Sequence, residues 1–198
     1  MLKEIRPALV MLLLLSVITG LVYPYAVTGV AKVLFPHQAT GSLIERDGKV
    51  IGSSLIGQNF TGDQYFHGRP SATTDTDPND PTKQVPVPYK ADASTGSNYG
   101  PTSQALIDRV KGDVATLKGG SDAPVPVDLV TASASGLDPD VTPAGALFQA
   151  ERVAKARNLP VERVKDLIAA HVEGRTGGVL GEPRVNVLAL NLALDDLK

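Results

Sequence analysis

Apolar and polar positions divide the chain into one long apolar stretch near the N-terminus and a mostly polar remainder. The apolar stretch runs from Pro7 to Leu34, and no charged residue lies between Arg6 and Lys32. About 25 uncharged residues are enough for one helix to cross a hydrocarbon layer of about 30 Å. The pattern therefore predicts a short tail over residues 1–6, a transmembrane anchor over 7–34 and a soluble domain over 41–198.

A cleaved signal peptide is the alternative for the apolar stretch. A basic start precedes the apolar middle, and small residues follow at Gly29 and Ala31, where cleavage could occur. The apolar run is longer than the usual signal core of about 7–15 residues, which favours a retained anchor. Lys3 and Arg6 in the short tail favour a cytoplasmic N-terminus, because long domains cross membranes largely regardless of their own charge. We therefore expect a single-pass membrane protein with a cytoplasmic N-terminus and its soluble domain on the outer side.

Small and hydroxyl-bearing residues in the anchor could allow a helix of a partner subunit to approach closely, because bulky side chains are missing there. The residues that we predict for this packing are Ser16, Thr19, Gly20 and Gly29.

The first part of the soluble domain combines one clear turn signal with long polar segments. Leu43, Ile44 and Val50, Ile51 flank a turn at Asp47-Gly48, which predicts a hairpin within 41–56. Aromatic residues then concentrate in 57–72, typical of a small core under a loop or of a surface for a partner. Residues 73–101 are rich in Asp, Asn, Pro, Ser and Gly without a sustained period, which predicts a long polar loop.

Three segments show the apolar spacing and the termini of helices. The first begins at Thr102 or Ser103 and is expected to stop at Gly119-Gly120. The second has Thr142 as its N-cap and Pro143 in the first helical position, and it stops near Asn158. The third begins at Pro160, with Val172 on its inner face and Gly174 as its stop.

Apolar residues in 125–134 predict a strand interrupted by Pro126, and the apolar tail over 184–194 predicts a buried closing strand. Strands that alternate with helices indicate an α/β domain. The predicted fold class is thus an α/β domain, with a mixed sheet and about three helices, attached to a single N-terminal transmembrane helix.

Composition excludes several classes of function. The chain has 198 residues, 19 basic and 21 acidic, with a net charge of -2, so no strong positive field favours nucleic acid. The sequence has no cysteine, which excludes disulfides, thiolate metal sites and cysteine catalysis. The three histidines, His37, His67 and His171, lack the spacing of a zinc site. Phosphate-binding, dinucleotide and serine-hydrolase motifs are missing as well. We therefore predict neither a catalytic residue nor a metal site, and we keep a membrane-anchored hydrolase as a remote alternative.

One turn has the residues of a small anion site. Ser133, Ser135 and Gly136 precede the predicted helix that begins at Pro143. Free backbone N–H groups before a helix can bind an anion, but ordinary capping explains the same residues and is the interpretation that we favour.

Six motifs in sequence order make the chain similar to a known family. It resembles the C subunits of the bacterial Kdp potassium-transporting P-type ATPases over nearly its whole length. The motifs occupy 55–60, 65–72, 96–101, 131–139, 152–157 and 181–188.

This resemblance implies a non-catalytic subunit of a high-affinity potassium uptake pump. The implied partners are a channel-like potassium-binding subunit, the ATP-hydrolysing P-type subunit and a small single-helix subunit. The family is usually given the role of a catalytic chaperone that helps the hydrolysing subunit to bind ATP, besides a role in assembly. A purely structural cap on the extracytoplasmic side is the alternative, because a periplasmic domain cannot meet cytosolic ATP.

If the nucleotide role holds, the resemblance carries the nucleotide contacts to Ser133, Ser135, Gly136 and Gln149. The chain would then have no cofactor of its own and would share ATP with the hydrolysing subunit.

Overall fold

The computed structural model describes residues 2–118 and 123–197, which divide into two compact units at Ser53 and Ser54. The predicted stop at Gly119-Gly120 lies outside the described residues.

The first unit begins with a long continuous helix. It consists of α1 (Leu2–Val17), a π-helical turn (Ile18–Val22) and α2 (Tyr23–Leu34). Its stretch from Lys3 to Leu34, 32 residues, is long and apolar enough to cross a membrane, and no part of its most apolar window is buried. A single turn, α3 (Pro36–Ala39), follows.

The predicted hairpin is confirmed in the first unit. Strands β1 (Leu43–Arg46) and β2 (Lys49–Ser53) pair antiparallel. Asp47 and Gly48 both have positive φ angles, 52° and 72°, which is the conformation that a two-residue hairpin turn requires.

The second unit holds the other strands in two small antiparallel sheets. β3 (Thr74–Asp77) pairs with β4 (Asp80–Pro86), and β7 (Arg184–Asn186) lies between β5 (Asp140–Val141) and β6 (Val172–Glu173). The prediction of loop over the whole of 73–101 was therefore wrong for its first half. The β3–β4 hairpin escaped detection because both of its faces are largely solvated, so no apolar alternation marks it.

Four helices of more than two turns belong to this unit. They are α4 (Gln104–Lys118), α5 (Pro143–Arg157), α6 (Val161–Ala170) and α7 (Val187–Asp195). The predicted termini of α5 are confirmed: the Thr142 hydroxyl accepts from the Gly145 N–H, and Asn158 ends the helix with a left-handed φ of 55°. The predicted α/β class is confirmed, together with one N-terminal helix that is long and apolar enough to span a membrane.

Helix α6 ends earlier than predicted. It stops at Ala170, and Val172 pairs with Val185 in the three-stranded sheet instead of continuing the inner face of the helix.

The predicted strand over 125–134 is absent from the described residues. This stretch forms one 3₁₀ turn (Val127–Leu129) and irregular chain. Pro126 cannot donate a ladder hydrogen bond. The carboxylate of Asp128 instead accepts the Thr142 N–H at 2.7 Å, which ties the turn to the start of α5.

The predicted closing strand over 184–194 was also wrong beyond its first three residues. The chain turns helical after Asn186, whose side chain accepts the Ala189 N–H at 3.0 Å and caps α7. Val187, Leu190 and Leu194 recur at helical spacing and are buried in the core with Phe66, Val153, Ile168 and Val185. The apolar residues of this stretch fit both the two-residue period of a strand and the 3.6-residue period of a helix. The Asn186 cap favours the helix.

Candidate functional site

The aromatic-rich segment after Gly57 has a turn at 62–65 and no regular secondary structure over 66–72, where amide side chains hold it. Asn191 of α7 accepts the Phe66 N–H at 2.8 Å and donates to the Phe66 carbonyl at 3.0 Å. Gln149 of α5 does the same for His67, at 2.8 and 3.0 Å. Both amides are almost fully buried. They replace the neighbouring strand that this segment lacks, and we call the pair the amide clamp.

Two arginines of α5 also bind the segment, at residues that precede Phe66 in the sequence. Arg152 donates to the carbonyls of Asp63 and Tyr65 at 2.7 and 3.1 Å, and to Gln149 Oε1 at 2.7 Å. Arg157 donates to the Gln64 carbonyl at 2.7 Å and lies over the Tyr65 ring at 4.9 Å from its centroid. The guanidinium groups thus satisfy backbone carbonyls that have no strand partner.

The hydroxyl groups of the serine-containing turn accept hydrogen bonds from backbone N–H groups of the same turn. Ser133 Oγ accepts the Gly136 N–H at 2.9 Å, and Ser135 Oγ accepts the Leu137 N–H at 3.1 Å. Gly136 adopts a φ of +67°, and a Cβ there would lie 2.6 Å from the Thr95 carbonyl oxygen. Its own carbonyl accepts from Ser71 Oγ at 2.7 Å. The turn therefore packs tightly against distant parts of the chain. We call the contact of this turn with Ser71, Thr73 and Thr95 the seam.

A cavity of about 530 Å³ lies beside the amide clamp. Gln149 belongs to its wall, whereas Ser133, Ser135 and Gly136 are not among the described residues that line it. The structure thus brings one of the four predicted contacts to the cavity and places the other three in the seam. The wall includes two aromatic residues, Phe60 and Tyr89, and charged or polar residues among which are His67, Arg69, Arg109, Asp113 and Gln149.

Most charges around the cavity are already paired. Arg69 Nη1 lies 2.8 Å from Asp138 Oδ2, and Arg109 Nη1 lies 2.8 Å from Asp113 Oδ2. Arg109 Nε is buried without a hydrogen-bond partner among the described residues. The Tyr89 hydroxyl donates to the Arg69 carbonyl at 2.7 Å, and burial raises the Tyr89 pKa to about 12. Tyr89 thus stays protonated and donates this hydrogen bond at neutral pH.

His67 is expected to make the stability of the domain depend on pH. Burial, together with Arg152, lowers the pKa of His67 below its usual 6.5. The unfolded chain then takes up the proton first, so stability is full above about pH 6.5 and falls below it until the folded-state pKa is passed. Urea unfolding between about pH 8 and 5 should show this fall, and His67→Gln should reduce the slope. An unchanged slope in the variant would assign the fall to other groups.

Comparison with known proteins decides the family. A family model described as "K+-transporting ATPase, c chain" matches residues 5–196. The chain belongs to this c-chain family.

Relatives that are similar over their whole length agree with this assignment. The "Potassium-transporting ATPase KdpC subunit" of Bradyrhizobium diazoefficiens is 68% identical over 196 residues, which cover 98% of each chain. The protein of the same name from Methylorubrum extorquens is 66% identical over 198 residues, covering 100% of this chain and 98% of the relative. A third, from Rhodopseudomonas palustris strain BisB18, is 66% identical over 199 residues and covers both chains completely. The resemblance found in the sequence motifs is therefore confirmed.

In this c-chain protein, three of the motifs that carried the resemblance meet in the hydrogen-bonded framework. The segment 65–72 is the part held by the amide clamp, 152–157 supplies Arg152 and Arg157, and 131–139 contains the serine turn. The residue types in these three motifs are explained by core packing and by the hydrogen bonds that they make to backbone N–H and carbonyl groups.

The four anchor residues predicted for partner packing lie on the long N-terminal helix. The Thr19 hydroxyl donates to the Leu15 carbonyl at 2.7 Å. A Cβ added at Gly20 or Gly29 would meet no described atom within 4 Å. Their contact with a partner helix stays a prediction, together with that of Ser16.

Sequence reasoning missed Asn191, Arg157, Tyr89 and Asp128. Asn191 is a lone amide in an apolar run, and Asp128 a lone acid between Val127 and Leu129. A single polar residue inside an apolar stretch is the signal that could have identified both, because such a side chain must find a partner when buried. Arg157 and Tyr89 carry no comparable signal, since their partners lie 20 to 93 residues away in the sequence.

Proposed function

We propose that this chain is a non-catalytic accessory subunit of a bacterial potassium uptake pump, anchored by its N-terminal helix in the inner membrane. Its soluble domain faces the periplasm and stabilises the assembly. Its partners are the potassium-binding channel-like subunit, the ATP-hydrolysing P-type subunit and a small single-helix subunit. The observation that carries the proposal, beside the family, is the 32-residue apolar helix from Lys3 to Leu34, whose side chains find no burial within the chain.

The hydrogen bonding of the domain supports a scaffold in preference to a nucleotide site. The oxygens of Ser133 and Ser135 accept from the chain's own backbone, and the Gln149 amide is engaged by His67 and Arg152. A nucleotide at these residues would have to replace bonds that hold the fold together, at a cost of about 1–3 kcal/mol for each group left unpaired.

A second candidate function, help with ATP binding by the hydrolysing subunit, is favoured by one observation. The cavity next to Gln149 has a volume of about 530 Å³, within the range of small-molecule sites, and its wall contains Phe60 and two arginines, Arg69 and Arg109. An aromatic ring and guanidinium groups suit a base and a phosphate. This function requires the domain to lie in the cytoplasm, where ATP is available.

Protease digestion of spheroplasts that carry an N-terminally tagged chain tests both functions. We expect external trypsin to remove the soluble domain and to leave a tagged fragment ending near the β1–β2 turn, because Arg46 and Lys49 are exposed there and the bilayer shields the preceding helix. Lysed spheroplasts provide the control for tag accessibility.

Each alternative gives a different result in this experiment. Full protection of the domain until lysis would contradict the periplasmic scaffold and support the nucleotide role. Loss of the tag from the mature chain before any digestion would indicate a cleaved signal peptide and contradict the retained anchor.

A further inference from the structure

The long N-terminal helix changes its hydrogen bonding just before Pro24. The Tyr23 N–H donates to the Ile18 carbonyl, five residues earlier, instead of to Thr19, four residues earlier. A proline ring would collide with the carbonyl four residues before it in a regular helix. For Pro24 this is the Gly20 carbonyl, which lies within the π-helical turn (Ile18–Val22). The wider turn relieves the collision, so the sequence explains the position of the turn.

The same change leaves the Thr19 carbonyl without a donor from its own helix. Its α-helical donor, Tyr23, is engaged by Ile18, and its π-helical donor would be Pro24, which has no N–H. The Thr19 hydroxyl does not help, because it donates to the Leu15 carbonyl at 2.7 Å.

This carbonyl lies deep in the proposed span. Thr19 is twelve residues beyond Pro7, about 18 Å along a helix that crosses a hydrocarbon layer of about 30 Å. Neither water nor lipid tails supply a donor at that depth, and an unsatisfied backbone group there is costly. Gly20, next to it, has open space where a Cβ would stand, so another backbone can approach.

We propose that the π-helical turn is the docking point for a transmembrane helix of a partner subunit, and that this helix donates a hydrogen bond to the Thr19 carbonyl. The donor is a Ser, Thr, Asn or Gln side chain, the residue types that bond between helices in membranes. A second copy of this chain fits less well, because a two-fold axis at the turn brings the two Thr19 carbonyls, both acceptors, against each other. The inference rests on the proposed function, since it requires the retained anchor and the pump.

Co-purification from detergent-solubilised membranes tests the docking point. The tagged full-length chain is expressed together with the other pump subunits. Pro24→Ala restores the missing N–H, and Gly20→Leu fills the open space; each should lower the recovery of partner subunits about 3- to 15-fold. Pro7→Ala and Val33→Leu are the matched controls on the same helix; Val33, thirteen residues from Gly20, lies on the opposite side of the helix, and the recovery of both variants should equal that of the wild type.

Photo-crosslinking provides the second measurement, in a chain whose turn is intact. Benzoylphenylalanine in place of Tyr23 should capture a polytopic pump subunit, and Pro24→Ala in the same chain should reduce the yield. Equal recovery from Pro24→Ala and Pro7→Ala, or capture of a second copy or of lipid alone, would overturn the docking point while the pump assembly stands. A wild-type chain that recovers no partner, or whose mass shows a removed N-terminus, would overturn the proposed function and this inference together.

Discussion

Replacing Asn191 with leucine is expected to destabilise the domain by about 4 kcal/mol, because the buried N–H and carbonyl of Phe66 would each lose their partner at about 1–3 kcal/mol per group. Leucine has the same branched side-chain skeleton of four heavy atoms as asparagine and keeps the apolar spacing of α7, so no cavity is left and lost packing contributes little. Urea unfolding of the full-length chain in detergent, followed by circular dichroism, measures the change.

The matched control for this substitution is Gln84→Leu, an amide on the exposed face of the β3–β4 hairpin. It should change the free energy of unfolding by less than about 0.5 kcal/mol. If the two variants were equally stable, the amide clamp would not be holding the segment that contains Phe66. The domain would then depend on the apolar core alone.

Gly136→Ala is the second substitution with a large expected effect, about 2–5 kcal/mol of lost stability. The left-handed backbone at a φ of +67° costs a residue with a Cβ about 1–2 kcal/mol. The new Cβ would also lie 2.6 Å from the Thr95 carbonyl oxygen and 2.7 Å from Thr73 Cγ2. Forcing an atom into such a seam adds about 1–3 kcal/mol. The same unfolding experiment measures the sum.

Gly177→Ala separates the two contributions. Gly177 has nearly the same φ, +62°, but a Cβ there would meet no described atom within 4 Å. It should therefore lose only the conformational part, about 1–2 kcal/mol. Equal losses at both glycines would show that the seam relaxes to admit a methyl group, and that the serine turn is less tightly packed than the contacts indicate.

Both substitutions also bear on the choice between scaffold and nucleotide site. The candidate contacts Gly136 and Gln149 belong to the same backbone framework as Asn191. A variant there that lowers pump activity through the amount of folded subunit argues for a scaffold. A variant that lowers the ATP affinity of a fully assembled pump argues for the nucleotide role.

Local signals allowed a large part of the fold to be predicted. The hairpin at Asp47-Gly48 and the two ends of α5 are fixed by residues a few positions apart, so their chemistry is visible in the sequence. The candidate site was predicted less well. Gln149 was named through the family resemblance, outside the six motifs, but its bonds to His67 connect α5 with a segment 82 residues earlier, and nothing local indicates them.

The sequence by itself determined the apolar helix and the family. The first depends on composition and the second on motifs in order, whereas the π-helical turn before Pro24 is known only from the structure. Only the tertiary structure decided that the tail after Asn186 becomes a helix and that lone amides complete the backbone bonding of the aromatic segment. It also decided that the serine turn packs against residues distant in the sequence, such as Ser71, which donates to the Gly136 carbonyl. The reason is physical: a buried backbone group must be paired, and its partner is chosen by the packing of the whole domain.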